Sequence, residues 1–131
     1  MSVRVARPEE IPPTDAPVEG LTWHPVRHHL GIEAFGTNAY TADAPGAVVV
    51  EPHDEDEHQE LYVVLHGAAR FTVDGEAFDA PQGTLVFVTP PSHREAIASE
   101  AGTTVLAIGA APGQTFEVSE WETRWRGQAG G

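Results

Sequence analysis

Four side chains have the types and spacing to gather round one point: His53, His58, Glu60 and His93. Neutral imidazoles and a carboxylate are donors that first-row divalent ions accept, and two or three histidines with one carboxylate leave positions open for water, oxygen or substrate. Iron, zinc, nickel or manganese held this way would activate oxygen or polarise a substrate carbonyl. Three of the four lie in HDEDEHQELYVVLHG, residues 53–67, where imidazoles and carboxylates run straight into an apolar strand. Glu55, in the same run, is a substitute ligand. A plainer reading stands beside this one: His58 and the acidic residues form a solvated loop, and His53 and His93 only hydrogen-bond at the mouth of a barrel.

The elements that must position these residues read as strands. From about Trp23 onward, short runs rich in Val, Ile, Phe, Tyr and Thr are punctuated by glycine and proline every eight to twelve residues. The pattern predicts strands over 32–41, 46–52, 60–66, 69–73, 76–79, 84–89, 93–98 and 103–110. Eight strands with only turns between them leave no room for crossover helices, so the pairing is antiparallel. Asp74-Gly75 is a tight-hairpin signal, because both residues tolerate positive φ. An all-β chain of this size hides its sheet edges in a closed antiparallel barrel or double-sheet jelly roll, either of which encloses a pocket.

Alternation along the 60–66 strand puts Glu60, Tyr62, Val64 and His66 on one face and Leu61, Val63 and Leu65 on the other. His53 and His58 are an odd distance apart, so the acidic run must turn the chain if both imidazoles are to converge. Tyr62, Phe35 and Tyr40 are the aromatic candidates for lining the pocket; core packing is their ordinary role, as it is for Phe71 and Phe87.

In these residues the chain resembles the cupin family, over roughly 46–98. The family's first motif runs Gly, five residues, His-x-His, three or four residues, Glu, six residues, Gly. Gly46, His53, Glu60 and Gly67 fit that frame with one extra residue before His53, and Glu55 stands where the second histidine is expected. The second motif runs Gly, five residues, Pro-x-Gly, two residues, His, three residues, Asn. Gly83, Pro90 and His93 follow it with a loop one residue shorter, while Thr89, Pro91 and Ile97 stand where proline, glycine and asparagine are expected. The resemblance implies a cupin-type barrel.

The remaining histidines carry less. His24, His28 and His29 fall in WHPVRHHLGI, where neighbouring imidazoles on a strand would face opposite sides, and His66 ends its strand in a structural position. Arg27, Arg70 and Arg94 could clamp a substrate carboxylate if they pointed inward, but among so many acids the outer face is the expected place for an arginine.

Composition narrows the partners. The chain of 131 residues carries a net charge of −13, with seven arginines and no lysine, which disfavours nucleic acid and anionic membrane surfaces. There is no cysteine, so thiolate chemistry and disulfides are excluded. No apolar run is long enough for a signal peptide or membrane span, so a cytoplasmic protein is the expectation. Residues 1–20, with four of the eleven prolines, predict an extended arm that lies over the domain or frays; 21–117 form one barrel, and 118–131 a terminal segment and tail. Trp121 and Trp125 would share a face of one helical turn and could cover a neighbour in a homodimer.

Two functions remain open at this level. One is a metal-dependent enzyme, an oxygenase or isomerase, acting on a small organic molecule. The other is a non-catalytic barrel without bound metal that binds a small molecule or serves a structural role.

Overall fold

In the computed structural model, which describes residues 2–16 and 18–123, two antiparallel sheets face each other in a jelly roll. The strands are β1 (Thr14–Asp15), β2 (Leu21–His24), β3 (Gly36–Ala42), β4 (Val48–Glu55), β5 (Gln59–His66), β6 (Ala68–Val73), β7 (Glu76–Pro81), β8 (Leu85–Val88), β9 (Ser92–Ala98) and β10 (Thr104–Ala110). One sheet runs β1-β2-β3-β10-β5-β8 and the other β4-β9-β6-β7. The period-two pattern builds the core between them: Tyr62 and Val64 face inward from β5, Phe71 from β6, Ala96 and Ala98 from β9, and Val105 from β10. Small residues oppose large ones, Ala96 across from Phe71, which lets the Phe71 and Tyr62 rings meet at 5.6 Å. Asp74 (φ 48°) and Gly75 (φ 85°) make the β6–β7 hairpin turn, with Val73 opposite Glu76.

Two elements beyond the eight expected strands complete the larger sheet, and one expected strand region is a helix. Residues 23–31 do not form a continuous strand: after β2, Pro25 precedes a short helix, α1 (Val26–Leu30), ended by Gly31 in the left-handed region (φ 74°), whose N–H donates to Arg27 O. His28 and His29 are both exposed on it, whereas Arg27 is buried. The proline-rich arm is docked: Ile11, 2% exposed, packs with Val26 and Ala39 outside β3, and β1 pairs with β2. Leu85 and Phe87, on edge strand β8, remain exposed.

After β10 the chain returns across one end of the barrel as a strap over residues 111–123, finishing in a helical turn at 120–123. Three contacts seat it. Phe116 lies against Gly36, where a Cβ would come within 3.2 Å of the ring. Trp121 packs on Trp23 of its own chain, ring centroids 4.7 Å apart, and keeps 42% of its surface exposed; Trp125 lies outside the described residues. Glu122 accepts from Arg27 Nε (2.7 Å) and Nη2, with both side chains buried, while Arg27 Nη1 donates to Ile32 O at 2.9 Å.

Breaking a buried pair by removing one partner costs about 3–5 kcal/mol where the remaining charge stays buried. A terminal strap relieves that cost by peeling away. In Glu122→Gln, amide exchange should therefore rise sharply across 116–123 while β5 keeps its protection; equal loss of protection in both would show that the pair holds the whole fold rather than the strap.

Candidate functional site

The antiparallel register of β4 and β9 decides which side chains enter the barrel. His53 lies opposite Arg94 and Asp54 opposite His93, so alternation sends Arg94 inward and His93 out. His93 is exposed and bonds Asp54 Oδ1 through Nδ1 at 2.9 Å; it does not join His53 and Glu60. Arg94 enters in its place, with no exposed surface. His58 sits in the β4–β5 turn, beside Glu55 (Nδ1 to Oε1, 3.3 Å) rather than His53. The turn begins only after Glu55, because β4 continues through the first acidic residues.

What converges is a cluster on the Glu60 carboxylate. Its Oε1 accepts from Arg94 Nη1 at 2.7 Å and from Tyr62 Oη at 2.9 Å, and His53 Nε2 stands 3.4 Å away. Arg94 Nη2 donates to Ser92 Oγ (2.7 Å), which leaves Nε as a buried donor without a partner among the described residues. Gly109, opposite Glu60 on β10, makes room for this carboxylate: a Cβ there would lie 3.1 Å from Glu60 Cγ.

The electrostatics follow from this packing. His53 Nδ1 faces Glu51 O at 2.7 Å, and a carbonyl only accepts, so Nδ1 carries a proton. Nε2 faces a carboxylate, and that hydrogen bond, opposed by desolvation and helped by the Glu51 carbonyl, lifts the imidazole above its ordinary pKa. Burial works to raise the Glu60 pKa, but the hydrogen bonds from His53 and Tyr62 and the charges of His53 and Arg94 outweigh it, so the carboxyl is held below its usual range. Burial and the neighbouring Glu60 push ionisation of the Tyr62 phenol up.

Beside the cluster lies a cavity of about 310 Å³ walled by Leu21, Tyr40, Val49, Glu51, Tyr62 and Trp121. An outer chamber of about 160 Å³, toward His58, Phe116 and Glu122, shares His53, Glu60, Tyr40 and Trp121 with it. Tyr40 and Tyr62 thus line the cavity, but Phe35 does not: it sits in the turn before β3, 37% exposed.

These residues do not fit a divalent metal. A metal site needs three or four donors aimed at one point, and among the described residues no group of three His, Cys, Asp or Glu side chains does so. Glu60 already binds a guanidinium through Oε1, and that charge opposes a second cation at the same carboxylate. The unpartnered Arg94 Nε–H calls for an acceptor, which a metal ion cannot be.

Arg94 is the site residue that sequence reasoning assigned to the outer face; Arg27 is the other arginine so misplaced, while Arg70 is exposed as expected. The signal for Arg94 lay in the spacing itself. Counted from Gly83 without shortening the loop, the second motif places its histidine at position 94, not 93.

Residues 39–109, over half the chain, match the family profile described as Cupin domain. No curated protein matches the sequence. Among solved structures, a protein described as a predicted oxalate decarboxylase from Thermotoga maritima is 18% identical and superposes with a TM-score of 0.67 over 82% of this chain and 99% of its own. KdgF from Halomonas sp. is 22% identical (TM-score 0.67, 81% and 92% covered). A cupin-superfamily sugar phosphate isomerase from Silicibacter pomeroyi is 20% identical (TM-score 0.65, 75% and 68% covered). At these identities the likeness is one of fold.

The pKa directions fix how the cluster responds to pH. His53, raised above 6.5, contributes stability fully below that value, and the contribution is lost as pH rises through its folded pKa. Glu60, held below 4.5, contributes above that value, and its share is lost as pH falls through its folded pKa. The paired contribution therefore peaks between 4.5 and 6.5. An NMR titration should place the His53 midpoint above that of free histidine, and His53→Gln should flatten the fall in stability on the alkaline side; a midpoint at or below the free value would remove the assigned pairing.

Proposed function

Because this chain belongs to the cupin domain family, we propose that it binds a small organic molecule in the cavity between its sheets and does so without a transition metal. The observation that carries this is Arg94 Nη1 at 2.7 Å from Glu60 Oε1: a fixed organic cation stands where the second motif would supply a metal ligand. The cavity supports the rest. At about 310 Å³ it lies at the small end of ligand sites, and it pairs apolar walls with a few convergent polar groups, as such sites do.

Within this reading His53 is the group equipped for proton transfer. It lines both chambers, carries its Nδ1 proton against Glu51 O, and has Glu60 to stabilise the imidazolium. A ligand with a basic atom within reach of Nε2 could take a proton there, with the Glu60 carboxylate keeping its charge. That two of the structural neighbours are described as a decarboxylase and an isomerase supports an enzymatic role for this cavity as well as simple binding.

Two measurements test the proposal. Protein purified after growth with added iron, zinc, nickel and manganese should hold less than about a tenth of an equivalent of any of them. Arg94→His, which gives Glu60 and His53 an imidazole in place of the guanidinium, should raise that content. Stoichiometric metal in the unaltered protein would overturn the metal-free reading.

For the pocket itself, Ala107 lines both chambers from β10. Ala107→Phe should abolish thermal stabilisation by any small molecule that stabilises the parent, with circular dichroism unchanged. Retained stabilisation would place binding elsewhere.

A further inference from the structure

Resting on the reading that the cavity takes a small organic ligand, we propose that this ligand carries a protonated amine, received by the Glu51 carboxylate and the Tyr40 phenol oxygen. The charges around the cavity single out that group. Four glutamates border the two chambers: Glu51, Glu55, Glu60 and Glu122. Three have partners of opposite or potentially opposite charge, Glu55 with His58, Glu60 with Arg94 and His53, and Glu122 with Arg27. The Glu51 carboxylate has none among the described residues, although it lines the inner chamber and its own carbonyl is engaged by His53.

The cations are arranged the other way. Arg27 and Arg94 are buried and committed to Glu122 and Glu60, and neither lines the inner chamber. Among the described residues, His53 is the one side chain there that can carry positive charge, and it is held between Glu51 O and Glu60. A carboxylate or phosphate entering the chamber would meet Glu51 with no free guanidinium among the described residues to receive it. An ammonium would meet a carboxylate.

The walls favour the same ligand. Tyr40 and Trp121 present ring surface to the chamber, and aromatic faces attract a desolvated cation. The Tyr40 hydroxyl makes no hydrogen bond with a described residue, so its oxygen is free to accept one from N–H. Burial, then the charges of Glu51, Glu60 and Glu122, push the ionisation of this phenol up, which registers the negative field at that point. Leu21, Val49 and Val50 cover the remaining wall, so the body of the ligand is apolar.

Isothermal titration calorimetry on the full chain with benzylamine, benzyl alcohol and benzoate tests this, since the three share a ring and differ in the charge of one substituent. Benzylamine should bind tightest, by about tenfold or more over benzyl alcohol, with benzoate weakest. Glu51→Gln should erase that preference, and Ala107→Phe should abolish binding of all three. Alcohol or benzoate binding as tightly as the amine, or a preference that survives Glu51→Gln, overturns the amine assignment; the cavity reading then stands if Ala107→Phe still abolishes binding. Absence of binding by all three to folded protein overturns both.

Discussion

A guanidinium with no exposed surface has to find its counter-charge inside the protein, and Arg94 finds it in Glu60. The two belong to different sheets, Arg94 to the four-stranded one and Glu60 to the six-stranded one, so their bond ties the halves of the jelly roll together at the site. Replacing such a pair by apolar residues is often neutral, but removing one member leaves an uncompensated buried charge. That asymmetry ties the other features to it. Glu60 must point inward, Gly109 must lack a side chain, and Ser92 must turn its hydroxyl toward Nη2. Tyr62 and His53 then gather on the oxygen that Arg94 has fixed.

An internal cation also changes what the site can be. A barrel mouth with three imidazoles and a carboxylate needs a metal ion to balance and organise its donors. Here the organisation is already present, because one arginine aims the carboxylate and the carboxylate aims a histidine and a phenol. What remains is a cavity with apolar walls and a proton-bearing imidazole at its edge. The strap repeats the device on the other side, where Arg27 neutralises Glu122 and Trp121, seated on Trp23, becomes a wall of both chambers.

The fold was legible in the sequence because its signals are local. Period-two alternation over 60–66, the Asp74-Gly75 turn and the glycine-proline punctuation each act within a few residues, and the strands stand close to where those signals fall. The inward placing of Glu60 and Tyr62 follows from the same alternation. The partner across the barrel was harder to read, since a slip of one residue in β9 exchanges its two faces. Shortening the preceding loop to bring a histidine into the motif put His93 inside and Arg94 outside, the reverse of the β4–β9 register. Composition pulled the same way, because arginine in an acidic chain belongs by default on the surface. Arg27 was hidden for a different reason. Its counter-ion, Glu122, lies 95 residues away, a contact that no local pattern announces.

That both buried cations among the described residues are arginine, in a chain with no lysine at all, is itself consistent with how they work. Arg94 donates to a carboxylate on one sheet and to a serine at the start of its own strand, and Arg27 reaches Glu122 and the carbonyl of Ile32. A planar fork with five N–H donors can hold two such partners in fixed directions, whereas an ammonium on a flexible stem acts as a point charge and is more strongly hydrated. With the Glu60 and Glu122 carboxylates answered from behind, the ionisable groups of the inner chamber left without an arginine partner among the described residues are Glu51 and His53. Under the proposed binding role, selectivity for a ligand's charge rests on that carboxylate and that imidazole rather than on the acidity of the protein as a whole.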